Sequence, residues 1–263
     1  MASRKEQKEQ ARARRLAEEQ ARADSSRRAG RLRMVGGIVV LAVAIVAVLI
    51  AVSSGGGTAT GLQTGKAKSS TVGTVSGLLG GIPQSGAQLG NPKAPVTMTY
   101  YGDLQCPICQ QFTLQGGFSQ LVSNEVRQGK VRVVYRAFET ATRDPSVFKT
   151  QQVAALAAGM QQRFWNFIEL FYHEQGQEGS GYVNEPYLQG LAKQIPGLSL
   201  PQWESDRNNP TLSTQVAADV QAGTAIQAPG TPTLVFTGPK GTPSALQGAP
   251  SYASLRQAIA KVS

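Results

Sequence analysis

Cys106-Pro107-Ile108-Cys109, preceded by Val96-Thr97-Met98-Thr99-Tyr100-Tyr101, decides how this 263-residue chain is read. The two cysteines are the only ones in the sequence. The run from Val96 to Tyr101 has the length and the β-branched and aromatic content of a buried strand. A helix is predicted to start at or just after Cys106. A Cys-x-x-Cys set between a strand and a helix is the arrangement of a thiol redox centre. The first sulfur then sits at a helix N-terminus, where unpaired N–H groups and the macrodipole favour an anion. Thiolates attack disulfides and thiols do not. The second sulfur is near enough to attack a mixed disulfide and release the product.

Two plainer roles for the pair are weaker. Structural zinc needs about four ligands, and beyond the pair the chain offers no cysteine and one histidine, His173. A static structural disulfide across so short a loop removes little entropy from the unfolded chain.

The N-terminal third carries a different signal. From Met34 to Val52 the sequence is 19 uncharged residues, MVGGIVVLAVAIVAVLIAV. At about 1.5 Å per residue a helix of that length matches the roughly 30 Å apolar thickness of a bilayer. Residues 1–33 hold 11 Lys/Arg against 5 Asp/Glu, a net +6 out of +10 for the whole chain. A cleavable leader has a shorter apolar stretch and a shorter basic head, so residues 34–52 are expected to be an uncleaved single-pass signal anchor. By the positive-inside rule the tail is cytoplasmic and the remainder extracytoplasmic, in the cell membrane. The high net charge therefore reports topology, and no nucleic-acid partner is expected.

Residues 53–81 are rich in Gly, Ser and Thr and read as a flexible linker. The folded domain is expected over 82–263. After the strand at 96–101, apolar residues from Cys106 to Gln128 keep helical spacing, with Gly116-Gly117 bending the helix and Gly129 stopping it. Val131 to Ala137 (VRVVYRA) reads as a second strand. Residues of about 145–228 read as a helical block, in which Arg163 to Tyr172 (RFWNFIELFY) is apolar on more than one face. Thr233 to Thr237 (TLVFT), a short strand at 244–247 and an amphipathic helix capped by Ser251 close the chain. The order is a βαβ unit, a helical insertion and a ββα unit, an α/β sheet with helices on both faces.

With these elements placed, the chain resembles the DsbA-like extracytoplasmic thiol–disulfide oxidoreductases. Leu89-Gly90, Ala94-Pro95-Val96 and Tyr101-Gly102-Asp103-Leu104-Gln105 leading into Cys106-Pro107-Ile108-Cys109 are similar to the opening of that family's fold. Gly230-Thr231-Pro232-Thr233, about 125 residues beyond the first cysteine, is similar to its cis-proline loop. The resemblance covers residues 82–263 and implies a thioredoxin fold with a helical insertion, here behind an N-terminal transmembrane helix. It implies Cys106 as the attacking, solvent-reachable sulfur and Cys109 as the buried resolving one. It further implies a cis bond before Pro232, the Thr231 hydroxyl near the Cys106 sulfur, and loop backbone that pairs with an extended substrate. Ile108 departs from the pattern, since strongly oxidising relatives carry histidine there. Without an imidazole donor the thiolate is less stabilised and the disulfide less oxidising.

Asp103, three residues before Cys106, is a candidate helix cap or proton-transfer group. No Ser-His-Asp arrangement, phosphate loop or dinucleotide fingerprint is present. The expected activity is disulfide formation in extracytoplasmic thiol-containing proteins, with reoxidation by a membrane partner that the resemblance suggests is quinone-linked. The redox-active cysteine pair needs no cofactor and no metal. The rival readings are a reductase or isomerase of the same fold, a tethered chaperone, or a soft-metal-binding module.

Overall fold

The computed structural model of the protein describes residues 61–241 and 244–263. The basic tail, the apolar run 34–52 and the start of the linker lie outside the described residues. Among the described residues no helix is long and apolar enough to cross a membrane.

The described strands are β1 (Gln84–Ser85), β2 (Gln88–Leu89), β3 (Val96–Gly102), β4 (Val131–Ala137), β5 (Thr233–Thr237) and β6 (Ser244–Gln247). They form one sheet in the order β1-β2-β4-β3-β5-β6. In β4 the apolar positions Val131, Val133, Tyr135 and Ala137 are buried and alternate with half-buried ones, the period a strand imposes. β3 lies in the middle, parallel to β4 from Val96 opposite Val131 to Gly102 opposite Ala137. On its other side it runs antiparallel to β5, with Tyr101 opposite Thr233. That register brings Pro232 to the carboxyl end of β3, where the cysteine motif begins.

The helices are α1 (Gly65–Leu79), α2 (Pro107–Leu114), α3 (Phe118–Leu121, continuing as a π-helical turn Val122–Val126), α4 (Pro145–Met160), α5 (Phe164–His173), α6 (Glu185–Ala192), α7 (Leu200–Asp206), α8 (Pro210–Ala225) and α9 (Tyr252–Val262). Helices α4 to α8 fill the interval between β4 and β5. Asp144, Asn184 and Asn209 cap α4, α6 and α8, and a proline follows each cap within two residues. The predicted single helix over 106–128 is three pieces. Gly117 makes the break necessary: a Cβ there would sit 2.5 Å from the Tyr252 nitrogen, and its own N–H donates to the Pro250 carbonyl at 2.9 Å. The start of α9 is thus seated in the break.

The core joins the sheet to α2, α3 and α5. Tyr100, Phe112, Phe118 and Trp165 are fully buried, with Trp165 stacked on Phe118 at 5.3 Å between centroids. Burying each such side chain contributes on the order of 1.5–3 kcal/mol.

The linker reading of 53–81 is corrected by α1, which is folded from Gly65. Thr71, Val75 and Leu79, four residues apart, make one buried stripe, and the helix packs on α5. Its far end is held by Arg127, whose guanidinium donates to the carbonyls of Leu78 and Gly80 at 2.7 Å each. A cation there satisfies the unpaired carbonyls of a helix C-terminus. Just ahead of α1, the Gln63 N–H donates to Glu174 Oε2 at 2.8 Å. Composition misled because the stripe is narrow and most of the other positions are Gly, Ser, Thr and Lys. The hairpin β1–β2, which pairs with β4 through β2, was not expected either.

Candidate active site

Three segments meet at the carboxyl end of β3: the turn 103–106 into α2, the loop before β5, and the loop from β4 to α4. Cys106 is the N-cap residue of α2, with extended dihedrals (φ −72°, ψ 119°) and Pro107 as the first helical residue. Proline suits that position because the N–H it lacks would be unpaired anyway. The Cys106 N–H donates to the Asp103 carbonyl at 3.1 Å, closing the turn. Gln175 Nε2 donates to the carbonyls of Leu104 at 2.6 Å and Cys106 at 3.3 Å, tying the turn to the residues just past α5.

The two thiols are free and differ in environment. Cys106 retains 6% exposure and Cys109 none. The first sulfur is therefore less open than expected, although the order of the two is as the resemblance implies. Ile108 beside it is 44% exposed. The Cys106 thiol is pulled down to about 6, first by a hydrogen bond from the Cys109 thiol. Burial opposes this, and the Thr231 side chain and the N–H groups of Cys109 and Ile108 add to it. At pH 7 a thiol of pKa near 6 is thiolate by roughly ten to one. Burial pushes the Cys109 thiol well up, aided by the neighbouring Cys106 sulfur. The Asp103 N–H and the Tyr100 hydroxyl pull the other way on Cys109.

The Thr231–Pro232 bond is cis. The Cys106 thiol donates to the Thr231 carbonyl at 3.3 Å, and the Thr231 hydroxyl contacts that of Thr140. Pro229, Gly230, Thr231, Pro232, Gln247 and Gly248 line, with Ile108, a shallow uncharged cleft of about 220 Å³. A larger cleft of about 450 Å³, lined in part by Lys149, Glu185 and Arg207, lies on the helical insertion and has no thiol.

Asp103 does not play the capping role expected of it. It does not cap α2, where Cys106 is the N-cap and no side chain accepts. Its carboxylate is fully buried. Oδ2 accepts from the N–H groups of Thr140, Ala141 and Thr142 at 3.0, 2.9 and 2.8 Å. Oδ1 accepts from the Gln105 N–H at 3.1 Å, the Thr142 hydroxyl at 2.5 Å and Gln151 Nε2 at 3.3 Å. Every lone pair faces a donor that fixes the β4–α4 loop to the active-site turn. A group so occupied holds structure.

Tyr100, Tyr172 and Thr140 were not anticipated. The Tyr100 hydroxyl, fully buried in β3, reaches the Cys109 carbonyl at 3.4 Å and the Tyr172 hydroxyl at 3.3 Å. Tyr172 in turn donates to the Asp103 carbonyl at 3.4 Å. The available signal was a buried hydroxyl on a central strand, which must find a partner. Thr140 gave none, because its partner lies 91 residues away.

A family model described as Thioredoxin matches residues 84–261. "Probable disulfide bond formation protein D" of Bacillus anthracis is 24% identical over 179 residues, covering 66% of this chain and 76% of its own length. The crystal structure of oxidised BdbD from Bacillus subtilis aligns with a TM-score of 0.57 at 20% identity, covering 68% of this chain and 97% of that one. DsbA2 of Pseudomonas aeruginosa aligns with a TM-score of 0.52 at 22% identity, covering 68% and 94%. At such identities the two structural likenesses speak to the fold. Helix α1 precedes the matched residues.

Proposed function

This chain belongs to the thioredoxin family, matched over residues 84–261, and on that premise we propose that it works as a DsbA-like oxidase, introducing disulfides into proteins outside the cytoplasm. Its chemistry is thiol–disulfide exchange, as in the relatives named for disulfide bond formation. Residues 34–52 tether it to the membrane with the basic tail inside.

In the oxidised pair a substrate thiolate attacks Cys106 Sγ. The Cys106–Cys109 bond breaks, and the Cys109 sulfur leaves as a thiolate and takes a proton. The substrate's second thiolate then attacks the substrate sulfur of the mixed disulfide and expels Cys106 as a thiolate. Two electrons pass from substrate to the cysteine pair, and no cofactor is called for. A membrane redox partner, quinone-linked by the family resemblance, takes them away again. Once Cys106 is in a disulfide it has no proton to donate, so the Thr231 carbonyl is released to accept from the backbone of an extended substrate. The uncharged cleft beside Ile108 suits apolar segments, which unfolded proteins expose.

The observation that carries the oxidase direction is the Cys106 sulfur at the start of α2, held near pKa 6 by surrounding donors. Stabilising the leaving thiolate stabilises the reduced pair, and that makes the disulfide oxidising. The test is the reduction potential of the full chain in detergent, equilibrated against glutathione redox buffers. A value above about −200 mV, with oxidation of a reduced unfolded protein, supports the oxidase. A value near thioredoxin's, about −270 mV, would make it a reductase.

A further inference from the structure

The β4–α4 loop is outside the redox motif, yet one of its side chains contacts the residue that lies against the reacting sulfur. Thr140 Oγ1 is in short hydrogen-bond contact with Thr231 Oγ1. Thr231 lies against Cys106. Its carbonyl accepts from the thiol at 3.3 Å, and its hydroxyl is among the donors that favour the thiolate. Thr140 itself is placed by its backbone, whose N–H donates to the buried Asp103 carboxylate at 3.0 Å. A β-branched side chain on a fixed backbone has few χ1 choices, so the hydroxyl is preset against Thr231.

We propose that Thr140 is a positioning residue whose hydroxyl donates to Thr231 Oγ1 and so turns the Thr231 proton onto Cys106 Sγ. This rests on the reading of Cys106 as the nucleophile. One contact between two hydroxyls holds one proton. If Thr231 supplies it, Thr231 points away from the sulfur and the thiolate loses a donor. If Thr140 supplies it, both O–H bonds point toward the negative charge, and each polarises the other. Thr140 is exposed, so water serves its remaining acceptor sites. The neutral thiol gains nothing from this order, because it donates to the Thr231 carbonyl. The relay therefore favours the thiolate, the form in which Cys106 leaves when product is released. The carboxylates on the adjoining segments are Asp103, engaged by the loop, and Glu139, next to Thr140. Both disfavour a second negative charge, so neither replaces a lost donor.

The test uses the full chain, reduced, as wild type, Thr140→Val, Thr140→Ser, Thr231→Val and the double valine variant. Thiolate ultraviolet absorbance and the alkylation rate of Cys106 are followed against pH, with circular dichroism confirming the fold. Thr140→Val keeps the shape and the backbone N–H that Asp103 holds. It should raise the Cys106 midpoint by about half a unit to one unit, the worth of one hydrogen bond, or a three- to tenfold lower thiolate-to-thiol ratio. Thr140→Ser should restore the midpoint, and Thr140→Val should add little once Thr231 is Val. An unchanged midpoint in Thr140→Val overturns the proposal. So does a lower one, which would mean that Thr231 donates to Thr140, or an equal shift in the Thr231→Val background. A wild-type midpoint near that of an ordinary thiol, about 8.5, would instead overturn the reading of Cys106 on which the relay depends.

Discussion

Asp103→Asn separates a structural carboxylate from a proton carrier. The buried side chain accepts six hydrogen bonds, three on each oxygen. Asparagine keeps the shape and exchanges one acceptor for an NH₂ donor. Its oxygen should face the N–H groups of Thr140, Ala141 and Thr142, which cannot turn. The NH₂ then meets the Thr142 hydroxyl, the Gln151 amide and the Gln105 N–H. The hydroxyl and the amide can rotate to accept, and the Gln105 N–H cannot. One buried N–H left facing a donor costs about 1–3 kcal/mol. Three charge-assisted bonds become ordinary ones, at about 0.5–1 kcal/mol each. Relief from burying a charge offsets part of this, leaving a loss of about 2–4 kcal/mol. For a domain of this size that lowers Tm by roughly 4–16 °C. Thermal unfolding of the full chain should show the drop, and amide hydrogen exchange should speed first at residues 140–142. If Asp103→Asn slows thiol exchange more than about tenfold while Tm moves by less than about 2 °C, Asp103 carries protons and the argument from its six donors fails.

Other outcomes follow from the two sulfurs and their neighbours. Cys109→Ser should accumulate mixed disulfides with substrate proteins on non-reducing gels and Cys106→Ser should not; the opposite pattern would reverse the two roles. The reduced chain should gain stability relative to the oxidised chain as pH rises from about 6, because a depressed thiol pKa stabilises the fold fully above the unfolded value of about 8.5 and that contribution is lost as pH falls through 6. The gain is at most about 3 kcal/mol, and above about pH 8.5 the burial-raised Cys109 reverses the trend. Denaturant curves of both redox forms at pH 6 and pH 8 check the sign. Tyr100→Phe removes the hydroxyl that donates to the Cys109 carbonyl and favours the Cys109 thiolate, and should lengthen the life of a mixed disulfide with a model peptide about three- to tenfold; an unchanged lifetime would mean the hydroxyl serves packing alone.

Legibility in the sequence followed the range of the interactions. Cys-Pro-Ile-Cys behind VTMTYY was readable because strand, cap and first turn are local: Pro107 as first helical residue and the sulfur at the N-cap need only neighbours. The β4 and α9 patterns were readable for the same reason, period 2 in one and a Ser251 cap with a buried stripe in the other. Helix α1 was not, because its partners are Arg127 and α5, far along the chain, and tertiary packing rather than propensity makes a helix of Gly, Ser and Thr. Asp103 looked like a cap from its spacing to Cys106. Its partners at 140–142 and Gln151 decide otherwise, and nothing in the motif announces them.

The residue at position 108 is the usual place to look for redox tuning in this fold, and here it is an exposed isoleucine that cannot donate. The thiolate is instead served by neutral groups: the Cys109 thiol, the Thr231 hydroxyl and two backbone N–H groups. The first of these exists only in the reduced pair, and any dithiol of this spacing has it. The helix-end N–H groups are equally general to the arrangement. What the general arrangement does not supply is the threonine contact at Thr231 and whatever orients it. A hydrogen bond of about 1 kcal/mol corresponds to about 20 mV for a two-electron couple. The interval between thioredoxin and DsbA is about 150 mV. One threonine donor therefore moves the potential by a small part of that interval, too little by itself to lift a thioredoxin-like value past about −200 mV, so a potential in the oxidase range requires the helix-end and dithiol donors to act more strongly here than in thioredoxin. Whatever reoxidises the cysteine pair must lie further up the scale, since electrons leave it only toward a more oxidising acceptor.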